Sequence, residues 1–334
     1  MNNKNLIRWG VMGTARIATR VRKAIQQTEG AELTAIASRS EQRALQWATE
    51  HGAQRSYGTY QALLEDPDLD AVYIPLPPSL HAEWTIRAAE QGKHVLCEKP
   101  LAMDASQAKE MAHACREHGV QLMDAVMWVH HPRAADMMGA IQDDQLGILR
   151  RINAAFGCQL DHDPSLEFRY QRELGGGSLL DLGWYCIRAA MWAFGTTPQR
   201  VYSTSRYEHG VDVNMNAIMW YEGGRMASFD CGFDAVWRKW FEVVGTEGSL
   251  VCDDFVNPWN SQRPRYWVHD AQGNATEHVS APRIQEQCMV ENFCRIVRRG
   301  ELDERWPQVS IDNQRVCDSL ARSARKGEAV EVGE

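Results

Sequence analysis

A glycine-containing turn close to the N-terminus is the first pattern with a chemical use. Residues 10–18 have the sequence GVMGTARIA and lie between an apolar run and a stretch of helical periodicity. Such a turn presents backbone N–H groups at a helix N-terminus to the diphosphate of a dinucleotide. In the pattern G-x-G-x-x-A the key positions are Gly13, Ala15 and Ala18, so the second glycine is missing. The turn predicts a dinucleotide site, and an ordinary tight turn is the alternative.

The end of the second predicted strand indicates which dinucleotide. An NAD site carries an acidic residue about 20 residues beyond the glycine turn, where it binds the ribose 2′-hydroxyl. Here the sequence is Ala37-Ser38-Arg39. A guanidinium and a hydroxyl would bind a 2′-phosphate, which a carboxylate would repel. We therefore expect NADP, with NAD as the weaker alternative; an Arg39 that merely faces solvent at the strand end is the competing interpretation.

The elements around this turn predict an α/β fold. From Leu6 to about Met123, short apolar runs rich in β-branched residues alternate with helical segments, as in a doubly wound parallel sheet. We assign residues 1–124 to a Rossmann domain. The predicted strands are Ile7–Met12, Leu33–Ser38, Ala71–Pro75, His94–Leu96 and Val120–Met123.

The second half has a different pattern. We assign residues 125–334 to an α+β domain with a large, open, mostly antiparallel sheet. An apolar segment at 178–194 precedes strand-like runs near 199–207, 213–220, 225–233, 239–244 and 249–253. The last helical segment, 311–326, is expected to pack on either domain. Such an open sheet favours a homodimer or homotetramer.

Composition excludes several classes of function. The net charge of −8 and the scattered 36 Lys and Arg argue against nucleic-acid binding. No apolar run approaches the roughly 20 residues of a membrane span, and no signal peptide is evident, so we expect a soluble cytoplasmic protein. Nine cysteines without a CxxC indicate reduced thiols, and the histidines form no HxxxH or HExxH pattern, so no metal site is expected.

Three further segments resemble a known family. They are 76–81 (LPPSLH), 98–100 (EKP) and 175–185 (GGGSLLDLGWY). Their order and spacing resemble the glucose-fructose oxidoreductase, inositol dehydrogenase and MocA (Gfo/Idh/MocA) family over nearly the whole chain. Tyr185, where other members have histidine, resembles the branch of dihydrodiol and xylose dehydrogenases. Pro78 stands where the family often has Asn, and Asp124-Ala125 stands where a glutamate is usual.

The resemblance implies a catalytic pair. Tyr185 would lie beside the nicotinamide and exchange a proton with the substrate hydroxyl, a contribution of roughly 100- to 10,000-fold to the rate. A free phenol has a pKa of about 10 and is a poor base at neutral pH. The ammonium of Lys99, at the end of a parallel strand, would favour the phenolate. Asp181 lies four residues before Tyr185 and would bind a substrate hydroxyl or Lys99. A surface lysine, a core tyrosine and a helix-start aspartate are the alternatives.

The turn and the resemblance together predict two sets of binding residues. The substrate set lies in the second domain, and its members at the domain junction are the less specific. The expected substrate contacts are Trp128, His131, Arg169, Asp181 and Tyr185. The expected cofactor contacts are Gly13, Thr14, Ala15, Arg16, Ile17, Ser38, Arg39, Leu76, Pro77, His81, Glu98 and Lys99.

The sequence therefore predicts an NADP-dependent oxidoreductase that transfers a hydride between the nicotinamide and the hydroxyl or carbonyl carbon of a sugar, cyclic polyol or dihydrodiol. One alternative is a non-catalytic, NADP-sensing regulator of the same family, against which the presence of both Lys99 and Tyr185 argues. A second is an enzyme that keeps NADP bound and recycles it between two substrates. No motif identifies the substrate.

Overall fold

The structure, a computed structural model, describes residues 6–160, 163, 165 and 167–333. The described chain divides into two compact units. The first contains residues up to 127 and residues 284–311, and the second contains 128–283 and the residues from 312 onward. Each unit is built around its own sheet.

The described part of the first unit contains a six-stranded parallel sheet in the order β3-β2-β1-β4-β5-β6. The order reverses between β1 and β4, and doubly wound folds bind dinucleotides in the crevice at the carboxyl ends of the strands there. The predicted doubly wound sheet is thus confirmed. Its strands are β1 (Ile7–Met12), β2 (Ala31–Ala37), β3 (Arg55–Tyr57), β4 (Ala71–Ile74), β5 (His94–Cys97) and β6 (Leu122–Asp124).

Helices connect these strands and cover the sheet. The first helix illustrates why they form: its buried side chains, Ala18, Val21, Ala24 and Ile25, recur at intervals of three and four residues, which puts them on one face. That face joins a core that includes Trp9, Ile36 and Tyr73. The helices are α1 (Arg16–Gln27), α2 (Glu41–His51), α3 (Tyr60–Leu64), α4 (His81–Glu90) and α5 (Ala105–Glu117).

The second unit begins with α6 (Pro132–Gln142) and contains, in its described residues, a nine-stranded sheet in the order β14-β13-β12-β11-β7-β10-β9-β8-β15. Among the strands that the structure describes here, only β7 and β10 pair in parallel, so the predicted mostly antiparallel sheet is confirmed. The apolar segment becomes a π-helical turn at Leu179–Gly183 followed by α7 (Trp184–Phe194). The strands are β7 (Arg151–Gln159), β8 (Arg200–Glu208), β9 (Val211–Trp220), β10 (Met226–Gly232), β11 (Asp234–Val244), β12 (Gly248–Cys252), β13 (Arg265–Asp270), β14 (Ala275–Val279) and β15 (Val330–Glu331).

The last two helices differ in their packing. Helix α8 (Gln285–Arg299) packs against α1 in the first unit, where the Phe293 ring lies 5.0 Å from that of Trp9. The sequence pattern had placed this segment in the second domain. Helix α9 spans Arg305–Lys326, and its part beyond 311 belongs to the second unit. There Ser203 of β8 donates a hydrogen bond from Oγ to the Leu320 carbonyl at 2.7 Å.

Three further expectations concern the cysteines, membrane-spanning helices and metal ligands. The nine cysteines, all of which the structure describes, are buried free thiols. Among the described residues, no helix has both the length and the apolar character needed to cross a membrane. Likewise, no group of three or more potential metal ligands comes together within the described ranges.

Candidate functional site

The glycine turn after β1 has the geometry of an anion-binding site. Gly13 adopts φ +99°, a conformation that other residues rarely adopt, and an added Cβ would lie 3.1 Å from Cδ2 of Leu76. Its N–H donates to the Ala37 carbonyl at 2.7 Å, which ties the turn to the end of β2. At the start of α1, within the described chain, no side chain caps the helix after Ala15 and its first turn carries no acidic residue. This helix N-terminus therefore fits a dinucleotide diphosphate.

The end of β2 is electropositive beside this turn. Ser38 is buried, and its Oγ accepts a hydrogen bond from Ser40 N at 3.4 Å, whereas Arg39 is exposed. Burial raises the pKa of Tyr60, and the positive charges of Arg39 and Arg43 oppose that rise. The guanidinium groups of Arg39 and Arg43 thus both interact electrostatically with the Tyr60 phenol. The phenol oxygen lies 3.6 Å from the position that a Cβ on Gly13 would occupy. The sequence pattern did not single out Arg43, which lies in the first turn of α2 directly after this strand end.

His81 joins two loops at the carboxyl ends of the strands. Its side chain is buried, with Nδ1 2.9 Å from the Pro100 carbonyl oxygen and Nε2 2.7 Å from that of Leu76. Burial lowers the pKa of His81, against the effect of its hydrogen bonds to these carbonyls. A neutral imidazole has one N–H and therefore donates to only one carbonyl at a time. Both ring nitrogens face the main chain, so this geometry favours a role in holding the loops after β4 and β5.

Glu98 and Lys99 follow β5 directly. Glu98 is buried, and its carboxylate accepts hydrogen bonds from the Tyr73 hydroxyl at 2.6 Å and from Lys99 N at 3.2 Å. Burial raises the pKa of Glu98, while the Tyr73 hydrogen bond and the Lys99 charge counteract part of this rise. Lys99 itself is half-buried. The pair places a cation at the carboxyl edge of the first sheet.

Arg169 and Asp181 form an ion pair in the second unit. Arg169 donates from Nε to Asp181 Oδ2 at 2.7 Å and from Nη1 to Glu167 Oε1 at 2.9 Å. Burial lowers the pKa of Arg169, but the two carboxylates outweigh this effect and the pKa is raised. The structure thus brings together two predicted substrate residues and fixes the carboxylate of Asp181 through Arg169.

Tyr185 is the second residue of α7 and is half-buried. Its ring packs edge-on to Phe156 of β7 with centroids 5.3 Å apart, and Phe156 lies 6.2 Å from the ring of Trp237. Trp237 is 59% exposed. Asp181 belongs to the π-helical turn that precedes Tyr185, a rare widening of the helix that occurs frequently at functional sites. The sequence had predicted a regular helix here.

Trp128 and His131 have structural contacts in the second unit. The buried Trp128 ring packs edge-on to Trp192 at 5.3 Å and to Phe255 at 5.6 Å. His131 caps α6: its Nδ1 accepts from Arg133 N at 3.0 Å, and its Nε2 lies 3.0 Å from the Arg283 carbonyl oxygen. Since Nδ1 accepts, the ring proton is assigned to Nε2. Burial lowers the pKa of His131, which favours this neutral form.

Both halves of the chain match known family models. Residues 7–125 match the model described as an oxidoreductase family with an NAD-binding Rossmann fold. Residues 135–251 match the GFO/IDH/MocA C-terminal domain. The chain belongs to the Gfo/Idh/MocA oxidoreductase family.

Relatives in this family include enzymes of the expected branch. A D-xylose 1-dehydrogenase (NADP(+)) from Haloferax volcanii is 36% identical over 97% of this chain and 99% of its own length. A trans-1,2-dihydrobenzene-1,2-diol dehydrogenase from Xenopus tropicalis is 31% identical over 75% of this chain and 77% of its own. A solved 3-ketoreductase from Actinomadura kijaniata, in complex with NADP and TDP-benzene, superposes with a TM-score of 0.89 at 34% identity, covering 96% of this chain and 98% of that one.

These matches confirm the predicted family and the predicted class of enzyme. The protein is an oxidoreductase that uses a nicotinamide dinucleotide. Lys99 lies in the first unit, whereas Tyr185 and Asp181 lie in the second. The roles of these residues, and of the cofactor and substrate sets, remain predictions.

Proposed function

We propose that this protein is an NADP-dependent dehydrogenase or reductase that transfers a hydride between the nicotinamide and the hydroxyl or carbonyl carbon of a sugar, cyclic polyol or dihydrodiol. The observation that carries the cofactor preference is the pair Ser38 and Arg39, which directly follows β2 at the position where an NAD site has an acid. The xylose and dihydrodiol dehydrogenases among the relatives support the substrate class.

The residues of the first unit fit the cofactor. The turn at Gly13 to Ile17 would receive the diphosphate, and Ser38, Arg39 and Arg43 would surround the 2′-phosphate. Leu76 and Pro77 would line the same crevice. His81 would hold their loop in place through hydrogen bonds to the main chain and would make no hydrogen bond to the cofactor. Glu98 would support Lys99 at the nicotinamide end.

The chemistry at the reacting carbon needs a proton acceptor and donor. The bound nicotinamide supplies hydride exchange. Tyr185 would take the hydroxyl proton during oxidation and return it during reduction, with the ammonium of Lys99 favouring the phenolate. Asp181, oriented by Arg169, would accept a hydrogen bond from a second substrate hydroxyl. The exposed ring of Trp237, next to Phe156, would suit the apolar face of a sugar.

The catalytic pair is tested by Lys99→Ala and Tyr185→Phe. Because general acid–base catalysis contributes roughly 100- to 10,000-fold, we expect either change to lower kcat by about that range. The NADP dissociation constant, measured by fluorescence titration, is expected to stay within about twofold for Tyr185→Phe. The assay would follow NADP reduction at 340 nm with a panel of aldoses, inositols and dihydrodiols.

Matched controls separate catalysis from general damage. Lys109 and Tyr207 are exposed residues of the first and second unit, and Lys109→Ala and Tyr207→Phe should retain wild-type turnover. Unchanged kcat in both Lys99→Ala and Tyr185→Phe would refute the proposed pair.

We also propose that the open face of the second sheet pairs with a second copy of the chain. Phe241 of β11 contacts Trp192 of α7, with ring centroids 6.1 Å apart, so that face of the strand is covered. Neighbouring residues on a strand face opposite sides, so Trp240 lies on the other face, where it is 40% exposed. Pairing of this open face with a second copy would bury the exposed Trp240 ring.

A further inference from the structure

The carboxylate of Asp212 binds the start of the helical segment that carries the proposed catalytic residues. Asp212 is the second residue of β9. Its Oδ2 accepts hydrogen bonds from Ser178 Oγ at 2.8 Å and from Leu179 N at 2.7 Å. The segment that begins there continues through the π-helical turn into α7. Asp181 and Tyr185 therefore lie on a helix whose first residues are attached to a neighbouring strand.

The glycine run before the helix makes room for this carboxylate. Gly177 adopts φ +118°, and an added Cβ would lie only 2.4 Å from Asp212 Oδ1. Gly177 also donates from N to the Arg169 carbonyl at 2.9 Å, and its own carbonyl accepts from Asp181 N at 3.1 Å. The main chain between Arg169 and Asp181 is thus fixed beside Asp212, and a side chain at position 177 would displace one of them.

The Asp212 carboxylate is charged at neutral pH, because its raised pKa still lies below 7. A negative charge at a helix N-terminus interacts favourably with the helix dipole. Burial raises the pKa of Asp212 to about 6, although its hydrogen bonds with Leu179 and Ser178 lower it in part. Two buried thiols, those of Cys231 on β10 and Cys317 on α9, interact electrostatically with Asp212, and burial raises their pKa values well above normal, so both stay neutral. Tyr207 of β8 is the cross-strand partner of Asp212.

We propose that Asp212 is a positioning residue for the hydride-transfer reaction, because its two hydrogen bonds fix the start of the helix that carries Asp181 and Tyr185. It does not touch the reacting atoms in this scheme. The proposal rests on the proposed role of Tyr185. It predicts that Asp212 affects turnover more than it affects cofactor binding.

The test is Asp212→Asn, which keeps the size of the side chain and removes its charge. We expect kcat to fall at least tenfold, while the dissociation constant for NADP stays within twofold. The wild-type kcat should also decline as the pH falls through about 6, because protonation weakens the two accepted hydrogen bonds. The pH profile of kcat for Asp212→Asn should lack this acidic decline. If the role of Asp212 were purely structural, the decline would remain in the variant.

Asp270→Asn is the matched control. Asp270 also accepts hydrogen bonds from backbone N–H groups, those of Gln272 at 2.9 Å and Asn274 at 2.8 Å, but in the hairpin between β13 and β14. This variant should keep the wild-type kcat and acidic decline. If Asp212→Asn fails to fold, Ser178→Ala removes one of the two hydrogen bonds and should lower kcat about fivefold.

The outcomes separate this proposal from the proposed function. An inactive Tyr185→Phe together with unchanged kcat and acidic decline in Asp212→Asn would overturn the role of Asp212 and leave the function intact. If Asp212→Asn does not fold, unchanged kcat in Ser178→Ala overturns it. Full turnover in Tyr185→Phe would refute the role of Tyr185, and the positioning role would fall with it.

Discussion

At the scale of single residues, the choice between NADP and NAD depends on one phosphate and the charge that faces it. Arg39 is exposed at the end of β2, and a hydrogen bond to a charged group is worth about 1.5–3 kcal/mol. Arg39→Ala should therefore lower kcat/KM for NADP roughly 10- to 100-fold and leave kcat/KM for NAD nearly unchanged. Steady-state kinetics with both cofactors at one fixed ionic strength would measure the ratio, since salt screens exposed charges.

Two further arginine variants complete this experiment. Arg43→Ala should change the ratio in the same direction, because the charge of Arg43 acts on the same phenol as that of Arg39. Arg87→Ala, on the exposed side of α4, should have no effect because Arg87 pairs with Glu83 at 2.9 Å instead. An unaltered NADP/NAD ratio in Arg39→Ala would argue against the assignment of NADP.

Local patterns locate some of the candidate site residues, and the roles of all of them stay predictions. Ser38 and Arg39 follow a strand that the sequence identifies. The end of that strand can be located near the glycine turn without knowledge of contacts between distant residues. Trp128 and His131 are different, because their contacts come from segments far along the chain. The Arg283 carbonyl that faces His131 and the Phe255 ring that packs on Trp128 follow from tertiary structure, which local patterns do not encode.

At the scale of elements, the predicted parallel strands have strong apolar patterns, but β7, which is also apolar and largely buried, was not predicted. Buried parallel strands have continuous apolar runs, and β1 and β4 have them. Strand β3 has only three half-buried residues, and β14 is mostly exposed, so neither produces such a pattern. The π-helical turn at Leu179–Gly183 was also missed, because the composition of an apolar helix does not distinguish π from α hydrogen bonding.

His81 hydrogen bonds to the loops after β4 and β5, and its burial leads us to expect that the stability of the protein depends on pH. Burial lowers its pKa, so the folded protein favours the neutral imidazole. This difference in pKa contributes to the free energy of unfolding when the pH is above the pKa of an unfolded histidine, about 6.5. The contribution is lost as the pH falls below that value. His81→Gln should cost about 1–3 kcal/mol at pH 7.5, because it disturbs buried hydrogen bonds. The fall in Tm between pH 7.5 and 5.5 should become smaller.

An exposed histidine provides the comparison for this measurement. His113 of α5 has a side chain that is 75% exposed, so His113→Gln should leave both the Tm and its pH dependence unchanged. Half-buried His94 and buried His131 also have lowered pKa values, so part of the acid sensitivity should persist in His81→Gln. An undiminished fall in Tm for His81→Gln would mean that its titration does not affect stability.

At the scale of the whole molecule, the sequence predicted two units but not the path of the chain between them. Helix α8 has a strong apolar face, including Met289 and Phe293, that is buried in the core of the first unit. An amphipathic pattern indicates that one face of a helix packs against a core, but it does not indicate which core. The return of residues 284–311 to the first unit is therefore a property of the tertiary structure alone.

The open sheet leads to a prediction about assembly. If its free face pairs with a second copy, multi-angle light scattering should give at least twice the chain mass of 37.9 kDa. Trp240→Glu places a charge on that face, and burying an unpaired charge in an interface is costly, so this variant should shift towards the monomer. Leu45→Glu changes an equally apolar residue, 59% exposed on α2, and should leave the mass unchanged. A wild-type protein that elutes as a monomer at micromolar concentration would rule out this interface.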